Sequence, residues 1–347
     1  VVALRRSRAN DRVTLYEASE RLGGQLHTER TDGYTIEHGA EGFVAGSEAV
    51  RTLAADLGIE GELVGQLLTR SYAFDGRRLV ELKPGEAGEL LGFQVARREL
   101  GNGIGSFREG MGQLSAALAR ATEGTVDLRL GVAVSRVTAS GSTWNVEHAT
   151  HGAGGSNGAD EADVVVVATN AARASALLEP EFGEPARALA RVATVSSVTV
   201  SLAYDRASVE HALDGTGFVV AEGAQDEGFR ACTFASSKLP ARAPADKALL
   251  RAFFRPPADA HGLSDDDWSA RAERALGRAL TLRTGFERAW VSRWRDALPV
   301  IDDAHRERVR ALEAALSGRN VRLAGSAFHG AGIDAGVRSA EEASRTL

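Results

Sequence analysis

Apolar and polar positions alternate in short blocks along this chain, and the period of the alternation changes from segment to segment. Val13-Thr14-Leu15-Tyr16-Glu17 is a β-branched, aromatic run closing on an acid. Ala18 to Gly24 follows it and ends in a glycine pair, so a strand leading into a glycine turn is expected. Tyr34-Thr35-Ile36-Glu37 is a second strand candidate. From Glu48 to Leu57, Val50, Leu53, Ala54 and Leu57 share one face, the pattern of an amphipathic helix closed by Gly58. Ser71 to Leu82 alternates like a hairpin about Asp75-Gly76. Gln113 to Ala121 reads as a helix with Leu114 and Leu118 on one stripe, and Val126 to Val137 and Thr143 to His148 read as strands. The polar stretch His151 to Gly158 suits a hairpin tip. Asp163 to Thr169, with four consecutive valines, reads as a strand buried on both faces of a parallel sheet.

The texture changes at Val195. Val195 to Tyr204, Gly217 to Ala221, Phe229 to Ala235 and Ala248 to Phe254 predict four short strands of an antiparallel sheet. A helix over Asp265 to Leu282 would cover it with Trp268, Ala272 and Leu276. The end returns to α/β character, with a helix over His305 to Leu316, a buried strand over Val321 to Gly325 and a last helix over Ala335 to Leu347. This order predicts a split nucleotide-binding domain with a second domain inserted; no repeat and no long linker interrupts it.

Composition narrows the function classes. The chain has 347 residues, 41 basic against 47 acidic, for a net charge of −6. That balance, a sequence pI near 5.8 and the lack of any basic run of five residues argue against nucleic acid as partner. One cysteine, Cys232, excludes a disulfide framework and any zinc site with two or more thiolates, and suits a reducing compartment. No run of about 18 apolar residues predicts a membrane-spanning helix, and Val1 to Arg6 lacks the order of a signal peptide. Arginine outnumbers lysine heavily, which reads as genome composition and not as a ligand signal.

Three segments carry chemistry. Glu17, an acid at a strand's carboxyl end, can accept from both hydroxyls of a ribose, or can be an ordinary solvated strand end. Arg21-Leu22-Gly23-Gly24 follows at short range. The glycine pair allows close approach of backbone to a pyrophosphate, and the arginine offsets phosphate charge. Gly325-Ser326-Ala327-Phe328-His329-Gly330-Ala331-Gly332-Ile333-Asp334 stands between a strand and a helix. Its free backbone N–H groups suit a phosphate or a flavin carbonyl, or an ordinary turn with Asp334 as helix cap.

These segments resemble the flavin amine-oxidase superfamily. In detail the chain resembles the protoporphyrinogen/coproporphyrinogen oxidase family of haem biosynthesis. The matching stretches are Tyr16 to Phe43, Ser106 to Leu118, Val164 to Leu178, Ala231 to Phe254, Arg293 to Val300 and Leu323 to Ser344, in the family's order. The resemblance implies an α/β fold: a split Rossmann-like FAD-binding domain (1–43, 104–192 and 291–347) with an inserted substrate domain of antiparallel sheet plus helices (44–103 and 193–290). It implies FAD as cofactor. Glu17 would bind the adenosine ribose, and Arg21, Gly23 and Gly24 would lie along the pyrophosphate and ribityl chain. Val134 would hold adenine through its backbone, Gly110 and Met111 would approach the flavin, and Thr169 would lie near the cofactor. Trp294 would flank the flavin region, and Gly325, Gly332 and Ile333 would bind the pyrophosphate end and the isoalloxazine.

The implied activity is oxidation of a porphyrinogen, coproporphyrinogen III or protoporphyrinogen IX, to the porphyrin. Six electrons leave in three hydride transfers to FAD, with O2 as acceptor giving H2O2. Lys238, Arg230 and Arg242 are candidates for the substrate carboxylates. His38 and His329 are candidates for acid/base work, each equally readable as an ordinary histidine, and Cys232 reads as a small core residue. No metal is implied. The family contains soluble and peripherally bound members, so the implied place is the cytoplasm with or without contact to a membrane surface. Two other readings stay open: another flavin amine oxidase or desaturase, and a cofactor-free scaffold relative.

The chain departs from the family twice. Val1-Val2 can end a first strand, but Ala3-Leu4 already reads as helix interior, so the GxGxxG turn is absent. The long helical stretch before the Ser106-Phe107 segment is absent too. The expectation is that the natural polypeptide carries further residues at about Val2/Ala3 and near Asn102. Intact mass spectrometry checks it: a mass clearly above 36.6 kDa is expected, and 36.6 kDa itself overturns the idea.

Overall fold

A computed structural model describes residues 1–92, 102–150, 155–257, 260 and 262–347. In chain order the elements begin α1 (Val2–Arg8), β1 (Val13–Glu17), β2 (Thr28–Thr31), β3 (Tyr34–Glu37), β4 (Phe43–Val44), α2 (Glu48–Asp56), β5 (Leu63–Gly65), β6 (Tyr72–Phe74), β7 (Leu79–Glu81) and α3 (Glu86–Leu90). Next come β8 (Ile104–Phe107), α4 (Gly112–Thr122), β9 (Val126–Leu130), β10 (Val132–Ser140), β11 (Thr143–Thr150), β12 (Asn157–Ala162), β13 (Val165–Val167) and α5 (Ala171–Arg187). The rest are β14 (Thr194–Asp205), β15 (Gly217–Val220), β16 (Phe229–Phe234), α6 (Ala235–Lys238), β17 (Lys247–Phe254), α7 (Asp265–Ala279), β18 (Arg288–Pro299), α8 (Asp303–Leu316), β19 (Val321–Leu323) and α9 (Ile333–Arg345).

The nucleotide-type half is built on two parallel pairs, β1 with β9 and β13 with β19. An antiparallel β10–β11–β12 meander accompanies them. The inserted half is a seven-stranded sheet in the order β18-β14-β17-β16-β15-β6-β7, antiparallel except between β15 and β6. Alternation sorts its two faces. Val200, Leu202, Phe218, Cys232, Phe234 and Leu250 point into one core, which Trp268, Ala272 and Leu276 of α7 close. The opposite face carries Thr199, Ser201, Arg251, Trp290 and Ser292, paired across β17, β14 and β18. The β2–β3 hairpin packs on that face, with Tyr34 and Ile36 against Ala203, Ala235 and Leu249. The face of the sheet turned to the other half is thus the more polar one.

The helices start where their caps dictate. Ser47, Asn170 and Asp302 each accept a bond from the backbone N–H three residues on, which satisfies one of the free donors of a first turn. At α7, Ser264 and Asp267 form a reciprocal capping box. Ser264→Ala is expected to cost ~1 kcal/mol of stability, read as a lower urea midpoint at unchanged slope; an unchanged midpoint would mean the cap contributes nothing.

Several expectations shift. The run Val126 to Val137 is two strands, because Gly131 takes a φ of +67° and turns the chain from the β1 pairing into the meander. The valine strand is shorter than expected. β13 covers Val165–Val167, pairs only with β19 among the described residues, and leaves Val164 38% exposed, so it is not buried on both faces. β12 starts at Asn157, while 151–154, part of the expected hairpin tip, lie outside the described residues. Gly332, not Asp334, caps α9; Asp334 sits inside the first turn, bonded by the Ser47 hydroxyl and Arg338. β18 was not expected, and it crosses the domain boundary placed at 291, so the seven-stranded sheet runs on to Pro299. α1 is continuous from Val2 to Arg8, and 93–101, next to Asn102, lie outside the described residues.

Candidate functional site

Ligands of open α/β sheets bind beyond the carboxyl ends of the parallel strands. Glu17 ends β1 there, while Thr169 and Gly325 follow β13 and β19, held in register by Ala324 N–H on the Val167 carbonyl at 3.0 Å. One oxygen of Glu17, Oε1, accepts from the Ser19 amide and hydroxyl, both at 2.8 Å. Its other oxygen has no hydrogen bond among the described residues. Val134 lies at a bulge of β10, and its carbonyl accepts from Arg173 at 2.8 Å.

The Arg21–Gly24 loop is wound tightly on itself. Arg21 donates to the Leu22 and Gly24 carbonyls at 3.2 and 2.6 Å, and Gly23 and Gly24 take φ of +104° and +54°. A Cβ on Gly23 would stand 2.6 Å from the Leu26 carbonyl oxygen and 2.9 Å from the Ser115 hydroxyl of α4. The loop's exit meets the segment after β3. Ala40 N–H donates to the Gln25 carbonyl at 3.1 Å, and Gln25 Nε2 reaches the Ala297 carbonyl at the end of β18 at 3.0 Å. Trp294 Nε1 donates to the His38 carbonyl at 2.7 Å, and Arg251 to the next carbonyl, Gly39, at 2.7 Å. Arg21, Gly23, Gly24, His38 and Trp294 are therefore tied together in one connected network.

Gly110 and Met111 join it from the start of α4. Gly110, at φ +95°, lies where any Cβ would collide with Thr28. Met111 is fully buried among Phe43, Leu53 and Leu114, and its amide donates to Glu37 at 2.8 Å. Its side chain is core, so only the neighbouring backbone is left to approach a cofactor. Ile333, at the start of α9, packs against the same cluster. Gly24, Gly325 and Gly332 share a further property: all have positive φ, and a Cβ built on any of them meets nothing within 4 Å. Exposed, side-chain-free backbone at three turns, with a free carboxylate oxygen at the β1 end, fits an extended nucleotide cofactor lying along the strand ends.

The histidines differ. His38 is held at both nitrogens, Nδ1 2.8 Å from Ser292 Oγ and Nε2 3.0 Å from Glu29 Oε2, and its ring stacks on His27 at 4.4 Å. His329 stands 3.5 Å from Glu313 of α8 and takes no part in this network. Burial first, then the charges of Arg21 and His38, hold the His27 imidazole below its usual value. A base whose folded pKa is depressed supports the fold above its unfolded pKa of about 6.5 and loses that support as pH falls through it. His27→Phe is therefore expected to shrink the loss of stability between pH 7 and pH 5, measured by denaturant titration at both values; an unaltered loss would contradict this.

The substrate-carboxylate candidates differ in their partners. Arg242 is 2% exposed and donates to the Arg108 and Phe107 carbonyls and to Ser106 Oγ, so it faces protein on every side. Lys238 Nζ stands 2.9 Å from Glu41 Oε1 in a pair that is nearly buried on both sides. Of the three, only Arg230, bonded to the neutral Gln225, forms no close ion pair among the described residues. Sequence reasoning missed Glu41. Burial pushes its carboxyl up, but Lys238, Arg251 and Arg242 together bring it below the usual range. Burial pushes the Glu37 carboxyl up, and there it prevails over the bonds from Thr28 and Met111. No helix among the described residues is long and apolar enough to cross a membrane.

Comparison with known proteins agrees with this geometry. The profile of the family described as flavin containing amine oxidoreductase matches residues 1–93 and 82–347. The coproporphyrinogen III oxidase of Bacillus subtilis (strain 168) is 25% identical over 424 residues, covering 92% of this chain and 88% of the relative. That alignment is longer than the chain itself, so the relative has segments without counterpart here. The coproporphyrinogen III oxidase of Staphylococcus aureus is 30% identical over 139 residues, 39% of this chain and 30% of the relative. Among solved structures, a protein from Exiguobacterium sp. 255-15 assigned as protoporphyrinogen oxidase superposes with a TM-score of 0.83 at 22% identity, over 99% of this chain and 94% of that one. That likeness establishes the fold: a Rossmann-like cofactor domain with a substrate domain inserted.

Proposed function

The chain belongs to the family of flavin-containing amine oxidoreductases, and on that premise we propose that it is an FAD-dependent porphyrinogen oxidase acting on coproporphyrinogen III in haem biosynthesis. The observation that carries this reading is the alignment with a coproporphyrinogen III oxidase across 92% of the chain. When bound, FAD supplies a two-electron acceptor that O2 regenerates with release of H2O2, and three such rounds account for the six electrons.

The chain's own residues bind, orient and exclude water. Glu17 would hold the adenosine ribose through its free oxygen, the Gly23–Gly24 turn and the Gly325 and Gly332 backbone would hold the phosphates and ring, and the Val134 backbone would hold the adenine. The Trp294 and Arg251 bonds to successive carbonyls fix the His38–Gly39 backbone beside the cofactor. Of the two histidines, His38 is the better candidate for moving protons, a reading supported by its contacts with Ser292 on one nitrogen and Glu29 on the other. With Lys238 and Arg242 engaged inside the protein, Arg230 is the remaining candidate for a substrate carboxylate.

The test is spectroscopic. The purified protein, reconstituted with FAD and mixed anaerobically with coproporphyrinogen III, is expected to bleach at the flavin band and develop porphyrin fluorescence. In air, H2O2 should accumulate. Faster bleaching with protoporphyrinogen IX reassigns the substrate, bleaching only with amines moves the protein to the amine oxidases, and failure to take up FAD overturns the reading.

A further inference from the structure

Where the segment after β3 meets the polar face of the seven-stranded sheet, Glu37 and Glu41 face Lys238, Arg242 and Arg251. Direct bonds satisfy only part of this cluster. Arg242 spends its two terminal nitrogens on Ser106 Oγ and the Arg108 and Phe107 carbonyls, and Arg251 spends Nη2 on the Gly39 carbonyl and Thr199 Oγ1. Arg242 Nε and Arg251 Nε and Nη1 remain buried without a hydrogen bond among the described residues, while Glu41 Oε1 is held by Lys238 Nζ at 2.9 Å. Two of the cluster's charge pairs stand too far apart for a direct hydrogen bond. Arg251 Nη1 is 3.8 Å from Glu41 Oε2, and Arg242 Nη2 is 3.9 Å from Glu37 Oε1. Both exceed hydrogen-bond length, and polar gaps of that width are commonly bridged by water. A small cavity of about 10 Å³ lies among these residues, lined by Glu37, Glu41, Ser201, Arg242 and Arg251 together with Thr35 and three apolar neighbours. That is the space one water molecule needs.

We propose that this cavity is a built site for a single resident water, which links Glu41 to Arg251 across the joint between the two halves. Its size excludes a carboxylate or a phosphate, so no substrate group enters it. Its lining selects water over a halide ion. Unmet Arg251 donors and the Glu41 carboxylate border the same space, and only a molecule that both accepts and donates bridges Arg251 Nη1 to Glu41 Oε2. Through this water the Arg251 guanidinium is fixed on its inner edge while its outer edge holds the Gly39 carbonyl, which makes Arg251 a positioning residue for the His38–Gly39 backbone.

The test does not depend on catalysis. A crystal structure of the full chain, at a resolution that shows ordered waters, is expected to contain one peak within hydrogen-bond reach of Arg251 and Glu41. Crystals grown in bromide should show no anomalous peak there, and Tm should be equal in chloride and gluconate at matched ionic strength, because a bound halide would raise it. Glu41→Gln keeps an acceptor and should keep the water. An empty cavity, a bromide peak, a halide-dependent Tm or a Glu41→Gln structure without the water each overturns the assignment.

Discussion

Arg242→Met is expected to cost the protein ~3–5 kcal/mol, the range for removing one partner from a buried charged network. The guanidinium has three acceptors, two of them backbone carbonyls of β8 and the residue after it, and Glu37 lies 3.9 Å away. Methionine fills most of the volume but leaves those acceptors unmet and takes a positive charge from beside two carboxylates. Arg242→Lys should rescue little, because a single ammonium cannot span acceptors arranged for a planar fork. The measurement is urea unfolding, with the midpoint lowered and the slope unchanged. A loss below about 1 kcal/mol would mean that the network is not cooperative.

Gly39→Ala should be as damaging and should also strip the cofactor. Its Cβ would stand 1.8 Å from the Gln25 carbonyl oxygen, a backbone atom that cannot swing away. The only relief is to part the segment after β3 from the exit of the Arg21–Gly24 loop, and those two contacts join the site. A cost of ~4 kcal/mol, above the usual range for point mutants, is expected. Flavin absorbance of the purified protein should fall with it. Gly24→Ala is the matched control for stability alone: it adds the same methyl into open space at a φ of +54° and should fold with only a modest loss. Equal flavin content in wild type and Gly39→Ala would remove this segment from the cofactor site.

What could be read from the chain alone follows from how local the signal is. Val13–Glu17 and Phe229–Phe234 are strands because their own residues and the turns beside them say so. β18 was illegible because one face carries Trp290, Ser292 and Trp294 and the other Ala289, Val291 and Arg293, so a polar residue interrupts the apolar pattern on each face. The Arg21–Gly24 turn was recognisable, since positive φ demands glycine. Glu41 was not, because the groups that make it special, Lys238 and Arg251, lie about two hundred residues away and only the fold brings them to it. The partners of Lys238 and Arg242 were hidden for the same reason: composition shows a charge but not its partner.

Cys232 has a practical consequence. It is the chain's one thiol, 2% exposed in the middle strand of the seven-stranded sheet, and burial pushes its pKa well up. Neither solvent nor a thiol reagent reaches it while that sheet is closed. The rate at which a chromogenic disulfide reagent labels the native protein therefore counts sheet openings one at a time, without denaturant or an introduced probe. Followed with and without added flavin, that one atom reports whether cofactor captured at the strand ends of one half tightens the breathing of the other.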